Sequence, residues 1–163
     1  MKNNKKIAIL LMICVFIVIL IADLLTKYFT VGIDQEVVPG FFKFFYIENT
    51  GAAWNIFAGN QIGLLIISII SIVLIVIYTI FEKTNSKLLY TSLGFILGGA
   101  LGNMFDRIVF GYVRDFIKLE FINFPIFNIA DIALTIGVIL ITIYLIISGV
   151  KEIKENGRKK NKN

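Results

Sequence analysis

The chain is divided into long apolar runs separated by short polar breaks. Four runs stand out: "IAILLMICVFIVILIA" (7–22), "IGLLIISIISIVLIVIYTIF" (62–81), "LLYTSLGFILGGALGNMF" (88–105) and "IALTIGVILITIYLIISGV" (132–150). A helix needs about 20 apolar residues to cross the hydrocarbon of a bilayer, so the pattern predicts four membrane-spanning helices. The first reaches that length by continuing through "DLLTKYF", and the third is the least apolar, rich in glycine and carrying Asn103. The expected spans are about 7–27, 62–81, 88–106 and 131–150, within a single integral-membrane domain that ends in a basic tail, 151–163.

Composition sharpens this picture. Hydrophobic residues make up 58% of the 163 and mean hydropathy is +0.87, whereas soluble domains rarely exceed half apolar residues. A single cysteine, Cys14, and no histidine exclude an internal disulfide and the usual zinc ligand sets. Chemistry is left to carboxylates, amides, lysine, arginine and hydroxyls. The opening "MKNNKK" before an apolar run has the outline of a signal peptide, but no small-x-small cleavage site follows, and "LMIC" lacks the small residue expected before a lipidated cysteine. The run is read as the first span, with Cys14 as a small apolar residue within it.

Charge then orients the chain. Four spans put both termini on one side, and 11 of the 16 Lys and Arg residues fall there; Lys27, Lys43, Arg107, Arg114 and Lys118 fall on the other. The positive-inside rule predicts cytoplasmic termini. The tail "KEIKENGRKKNKN" is expected to lie on anionic lipid. Nucleic-acid binding is not expected, since no aromatic or folded module accompanies those charges. Space for a site remains in the outer segments 27–61 and 106–131. The stretch "VVPGFFKFFYIENTGAAWNIFAGN" mixes β-prone residues with a Pro-Gly turn and many rings. Those rings fit an aromatic anchor belt, or a platform that receives a lipid-bearing ligand.

Four acids gather at the outer edge: Asp23, Asp106, Asp115 and Asp131. Asp23 and Lys27, at i and i+4, fit an ion pair. Gly94, Gly98 and Gly102 form a small-residue stripe suited to close helix packing, and Asn103, Asp106 and Arg107 share one helical face, where Arg107 can neutralise Asp106. Asn128 and Asp131 in "FNIAD" fit an N-cap and an N3 acid at a helix start. Asp115, in "YVRDFIKLE", reads equally as a solvated loop acid. Topology nevertheless confines Asp115 and Asp131 to one thin layer. Two carboxylates brought together near apolar walls cannot both ionise easily, so the pair can share a proton in the manner of an aspartic peptidase.

"DLLTK" (23–27), "NTGAAW" (49–54), "GNMFDR" (102–107), "VRDF" (113–116) and "FNIAD" (127–131) occur in this order at the expected membrane level. In this the chain resembles the lipoprotein signal peptidases, or signal peptidase II family. The resemblance implies an all-α bacterial plasma-membrane protein: four transmembrane helices with a small extracytoplasmic β-cradle and a short helix within 37–60. It implies an aspartic endopeptidase, with no cofactor and no metal, that cuts diacylglyceryl-modified prolipoproteins just before the lipidated cysteine. The family's catalytic pair falls on Asp115 and Asp131, and its supporting positions on Asp23, Lys27, Asn49, Gly51, Asn103, Asp106, Arg107 and Asn128. Leu24 stands where the family has glutamine, and Arg114 where it has an apolar residue. Arg114 could act on Asp115 or point away. The expected mechanism is attack by a water that one Asp activates and the other assists, with Asn49 and Asn128 steadying the substrate or the oxyanion. The expected partners are diacylated prolipoproteins and membrane lipids, and the enzyme is expected to be a monomer. The competing readings are an ion-coupled transporter subunit, which would need acids near mid-bilayer, and a non-enzymatic membrane scaffold.

Overall fold

The structure is a computed structural model that describes residues 2–52, 56–57 and 59–160. Its elements follow in the order α1 (Lys2–Phe29), β1 (Asp34–Val38), β2 (Phe42–Asn49), α2 (Gln61–Phe81), α3 (Lys87–Val109), β3 (Val113–Leu119) and α4 (Ile129–Lys160). All four helices are long and apolar enough to cross a membrane. α4 continues ten residues beyond the expected end at 150, so the basic tail is helical as far as Lys160.

The third helix, the least apolar, is also the most buried. Tyr90, Ser92, Leu93, Gly94, Gly98, Gly99, Gly102, Asn103 and Asp106 all lie in its covered face. α3 packs against α1, α2, α4 and β3, so its surface meets protein and needs less lipid-compatible character. α2 is the reverse: strongly apolar, it buries only Leu64 and packs chiefly on α3. The core cluster of Ala8, Met12, Leu89, Tyr90, Leu93 and Leu97 lies between α1 and α3.

Glycine sets the spacing of this bundle on two faces. The expected stripe meets α1: a Cβ at Gly94 would lie 2.6 Å from the Met12 carbonyl oxygen, and one at Gly102 would lie 2.3 Å from Asp23 Oδ2. Gly99, outside that stripe, meets α4, where a Cβ would lie 2.4 Å from the Ala130 carbonyl oxygen. Because that neighbour is backbone, Gly99→Ala must push α3 and α4 apart. The expected loss is about 1–3 kcal/mol of stability, beyond the gain in helix propensity of about 1 kcal/mol. Thermal unfolding in detergent measures it, and an unchanged midpoint would contradict the close approach.

The β-cradle is a three-stranded antiparallel sheet in the order β1-β2-β3. Two of its strands come from the segment after α1, as β-prone composition predicted. The third, 113–119, comes from the connector after α3, outside the segment 37–60 expected to form the cradle. β1 is exposed along its whole length, whereas residues 113–117 of β3 are buried. At one end of the sheet Phe41 stacks on Phe121, with centroids 4.6 Å apart and planes 5° from parallel. The short helix expected within 37–60 falls largely on residues 53–55 and 58, outside the described residues, as do Trp54 and the end of "NTGAAW". The described positions 56, 57 and 59 lie in a turn.

Candidate active site

The start of α4 shows what holds Asp131 in place. Asn128 precedes the helix and its Oδ1 accepts the Asp131 N–H at 3.0 Å, while Asp131 Oδ2 accepts the Asn128 N–H at 3.1 Å. This reciprocal capping satisfies donors that a helix start leaves without partners. It also fixes the Asp131 side chain. The next N–H, that of Ala130, donates to Asp23 Oδ1 at 2.9 Å, so α1 caps α4 as well.

Asp115 arrives from β3 and is 1% exposed. Asn49, at the end of β2, donates through Nδ2 to Asp115 Oδ2 at 2.8 Å, and Asn128 donates through Nδ2 to Asp115 Oδ1 at 2.6 Å. Asn128 therefore touches both acids, with its amide on Asp115 and its backbone on Asp131. Its second amide hydrogen goes to Asn103 Oδ1 at 3.1 Å. With both hydrogens engaged, Asn128 positions the acids and has no hydrogen left for an oxyanion. Among the described residues the second amide hydrogen of Asn49 has no partner, and its Oδ1 accepts the Gly51 N–H at 2.9 Å. Burial, and next the charge of Asp131, push the Asp115 carboxyl up from its ordinary 3.8 to about 7.

Behind the acids lies a buried ionic layer. Lys27 Nζ sits 2.7 Å from Asp23 Oδ2 and 3.3 Å from Asp106 Oδ2, with all three side chains fully buried. Lys27 also donates to Asn103 Oδ1 at 2.9 Å, and Asn103 Nδ2 donates to Asp131 Oδ1 at 2.8 Å. The expected pair of Asp23 and Lys27 is thus present, but as part of a buried network reaching Asp131 rather than as a surface anchor.

The partner of Asp106 differs from expectation. Arg114 holds it, with Nη2 2.7 Å from Oδ1 and the backbone N–H donating to Oδ2 at 3.0 Å. Arg107 turns instead to the Gly51 carbonyl, at 3.3 Å through Nη2, within electrostatic reach of Asp131 and Asp115. Strand alternation is the reason: neighbours on β3 face opposite ways, so Asp115 faces the cavity and Arg114 faces α3. Reading the segment as a loop left this alternation out of the expectation.

The acids open onto a cavity of about 770 Å³. Asn49, Gly51, Asn103 and Arg107 line its polar end; Leu64 and Ile67 of α2, Ile96 of α3 and Leu134 of α4 line its apolar walls. Asp23, Lys27, Asp106 and Asn128 are not among its lining residues and act from behind. Among the described residues, no group of three or more Asp, Glu or Cys side chains could hold a metal ion.

Comparison with known proteins points to one family. A sequence model of the family described as "Signal peptidase (SPase) II" matches residues 15–147. The lipoprotein signal peptidase of Lactobacillus johnsonii is 42% identical over 147 residues, which are 87% of this chain and 96% of that protein. The lipoprotein signal peptidase of Lactobacillus gasseri is 40% identical over 93% of this chain and all of its own length. A solved structure, described as a bacterial membrane enzyme determined by the in meso method at 2.3 Å resolution, superposes with a TM-score of 0.80 at 37% identity. It covers 85% of this chain and 88% of its own.

Proposed function

The chain belongs to the signal peptidase II family, multi-pass bacterial membrane proteases that act on prolipoproteins, and from that premise we propose that Asp115 and Asp131 are its catalytic pair. The observation that carries this assignment is Asn128, hydrogen-bonded to both acids at the mouth of one cavity. The transporter reading needs acids near mid-span. Here Asp23, Asp106, Asp115 and Asp131 cluster around the ends of α1 and α3 and the start of α4.

Asp115 holds the shared proton. Its folded-state pKa is about 7, whereas Asp131 heads a helix, where the dipole favours negative charge. Asp131 takes a proton from water as the water oxygen bonds to the scissile carbonyl carbon. Asp115 gives its proton to the carbonyl oxygen. The resulting diol collapses: the C–N bond breaks, the nitrogen takes the proton from Asp131, and one diol hydroxyl returns a proton to Asp115. No acyl-enzyme forms. The free amide hydrogen of Asn49 and the guanidinium of Arg107 are the groups placed to meet the substrate backbone.

The substrate is a diacylglyceryl-modified prolipoprotein cut before its lipidated cysteine. The apolar walls of the cavity suit residues of a signal peptide, and a site at the helix ends admits water while acyl chains stay in lipid. The 11 cytoplasm-facing Lys and Arg residues of the sequence support termini inside, a site at the outer leaflet and a tail held on anionic lipid. The enzyme acts as a monomer, since both acids come from one chain. Release of the signal peptide from a diacylated prolipoprotein by the purified protein in detergent tests the reading; intact substrate counts against it.

The shared proton gives a pH dependence with a defined sign. Asp115 must keep its proton, so kcat/KM falls as pH rises through about 7, by about tenfold per unit beyond it. A pH series on one substrate measures this, and a flat profile across that range would exclude Asp115 as the acid.

A further inference from the structure

Arg114 does not line the cavity and is only 7% exposed, and its head is held on two sides. Its Nη2 and Nε lie 2.7 and 3.2 Å from Asp106 Oδ1, its backbone N–H lies 3.0 Å from Oδ2, and its guanidinium carbon stands 4.5 Å over the Phe110 ring. Resting on the assignment of Asp115 and Asp131 as the reacting pair, we propose that Arg114 is a positioning residue that balances the charge of Asp106 and thereby leaves Lys27 to hold Asn103 against Asp131.

Two buried acids, Asp23 and Asp106, face two buried cations, Lys27 and Arg114, so the layer is neutral. A lysine ammonium has three donors. Lys27 spends the shortest contact on Asp23 (2.7 Å), the next on Asn103 Oδ1 (2.9 Å) and the longest on Asp106 (3.3 Å). Asp106 tolerates the long contact because Arg114 satisfies it. Asn103 Oδ1 then receives two donors, from Lys27 and Asn128, which forces its Nδ2 toward Asp131. Without Arg114, the uncompensated carboxylate of Asp106 draws Lys27 away from Asn103. Asp131 loses a fixed donor, and the layer behind the pair becomes net negative. Arg114 also fastens the strand that bears Asp115 onto α3.

The charged and titratable groups around the layer are Asp23 and Lys27 of α1, Tyr46 and Glu48 of β2, Asp106 and Arg107 of α3, Tyr112 ahead of β3, Asp115, and Asp131 of α4. Only the balance between Asp106 and Arg114 changes in the variants that follow. Activity on a diacylated prolipoprotein is measured against pH for purified protein in detergent. Arg114→Met is expected to lose about tenfold in kcat with KM within about twofold. Its pH profile should move upward by on the order of one unit, the effect of one unit charge ~10 Å away at an effective dielectric constant of ~20. Asp106→Asn alone leaves the opposite imbalance and moves the profile downward. The double variant restores neutrality and returns the profile close to wild type, and Arg114→Lys leaves it in place.

An unmoved profile in Arg114→Met, or a double variant displaced as far as the single one, overturns the proposal. If Arg114→Met does not fold, the downward shift of Asp106→Asn and its reversal in the double variant decide the matter. Asp115→Asn is assayed alongside. Processing by that variant refutes the catalytic pair itself, whereas an inactive Asp115→Asn with no shift in the others removes only the role of Arg114.

Discussion

Asp115→Asn and Asp131→Asn each lose processing by about 10³-fold or more, because general acid and general base catalysis each supply about 10²–10⁴-fold and neither amide can hold or release the proton. Loss of activity alone would not separate chemistry from misfolding, but stability does. The Asp115 carboxyl keeps its proton up to about pH 7 when folded, against 3.8 ordinarily. The folded state therefore binds the proton more tightly than the unfolded chain. Stability falls as pH rises from about 4 through 7, and the full cost is present above 7. Asn at 115 removes that cost, so this variant unfolds at the same temperature as wild type or higher at pH 8 while cleaving nothing. Thermal unfolding and a processing assay on one preparation check both halves. A variant that is inactive and also markedly less stable would leave chemistry unproven as the cause.

Lys27→Met has the largest expected effect on stability. The ammonium is fully buried between Asp23 and Asp106 and also donates to Asn103. Removing one member of a buried ionic network leaves uncompensated charge and costs about 3–5 kcal/mol. The loss is expected to be larger than that of Lys43→Met, whose partner Asp34 stands largely in solvent, where an ion pair contributes little. Denaturant or thermal unfolding in detergent compares the two. Equal losses would mean that the layer behind the acids is not what holds these helix ends together.

The four spans were legible because crossing lipid demands one kind of residue over a fixed length. The least legible helix by composition, α3, is the one that protein surrounds: its glycines and Asn103 weaken a lipid-facing pattern but suit a helix packed on several sides. The cap at Asn128 and Asp131 could be read from "FNIAD" because it is local in sequence. The partner of Asp106 could not, since Arg107 and Arg114 are both close by and only the strand character of 113–119 selects between them. The engagement of Asn128 with both acids was hidden for a similar reason. It depends on Asn103 and Asp115 arriving from two other elements, and no spacing in one segment encodes such a meeting.

The hydrogen bond from the Ala130 N–H to Asp23 Oδ1 spans 107 positions of the chain and joins the first span to the beginning of the last. With Asp115 and Asp131 as the proposed pair, a nascent chain that has delivered three helices carries one acid and lacks both its partner and the clasp. On that assignment, hydrolytic competence arrives only with the last helix.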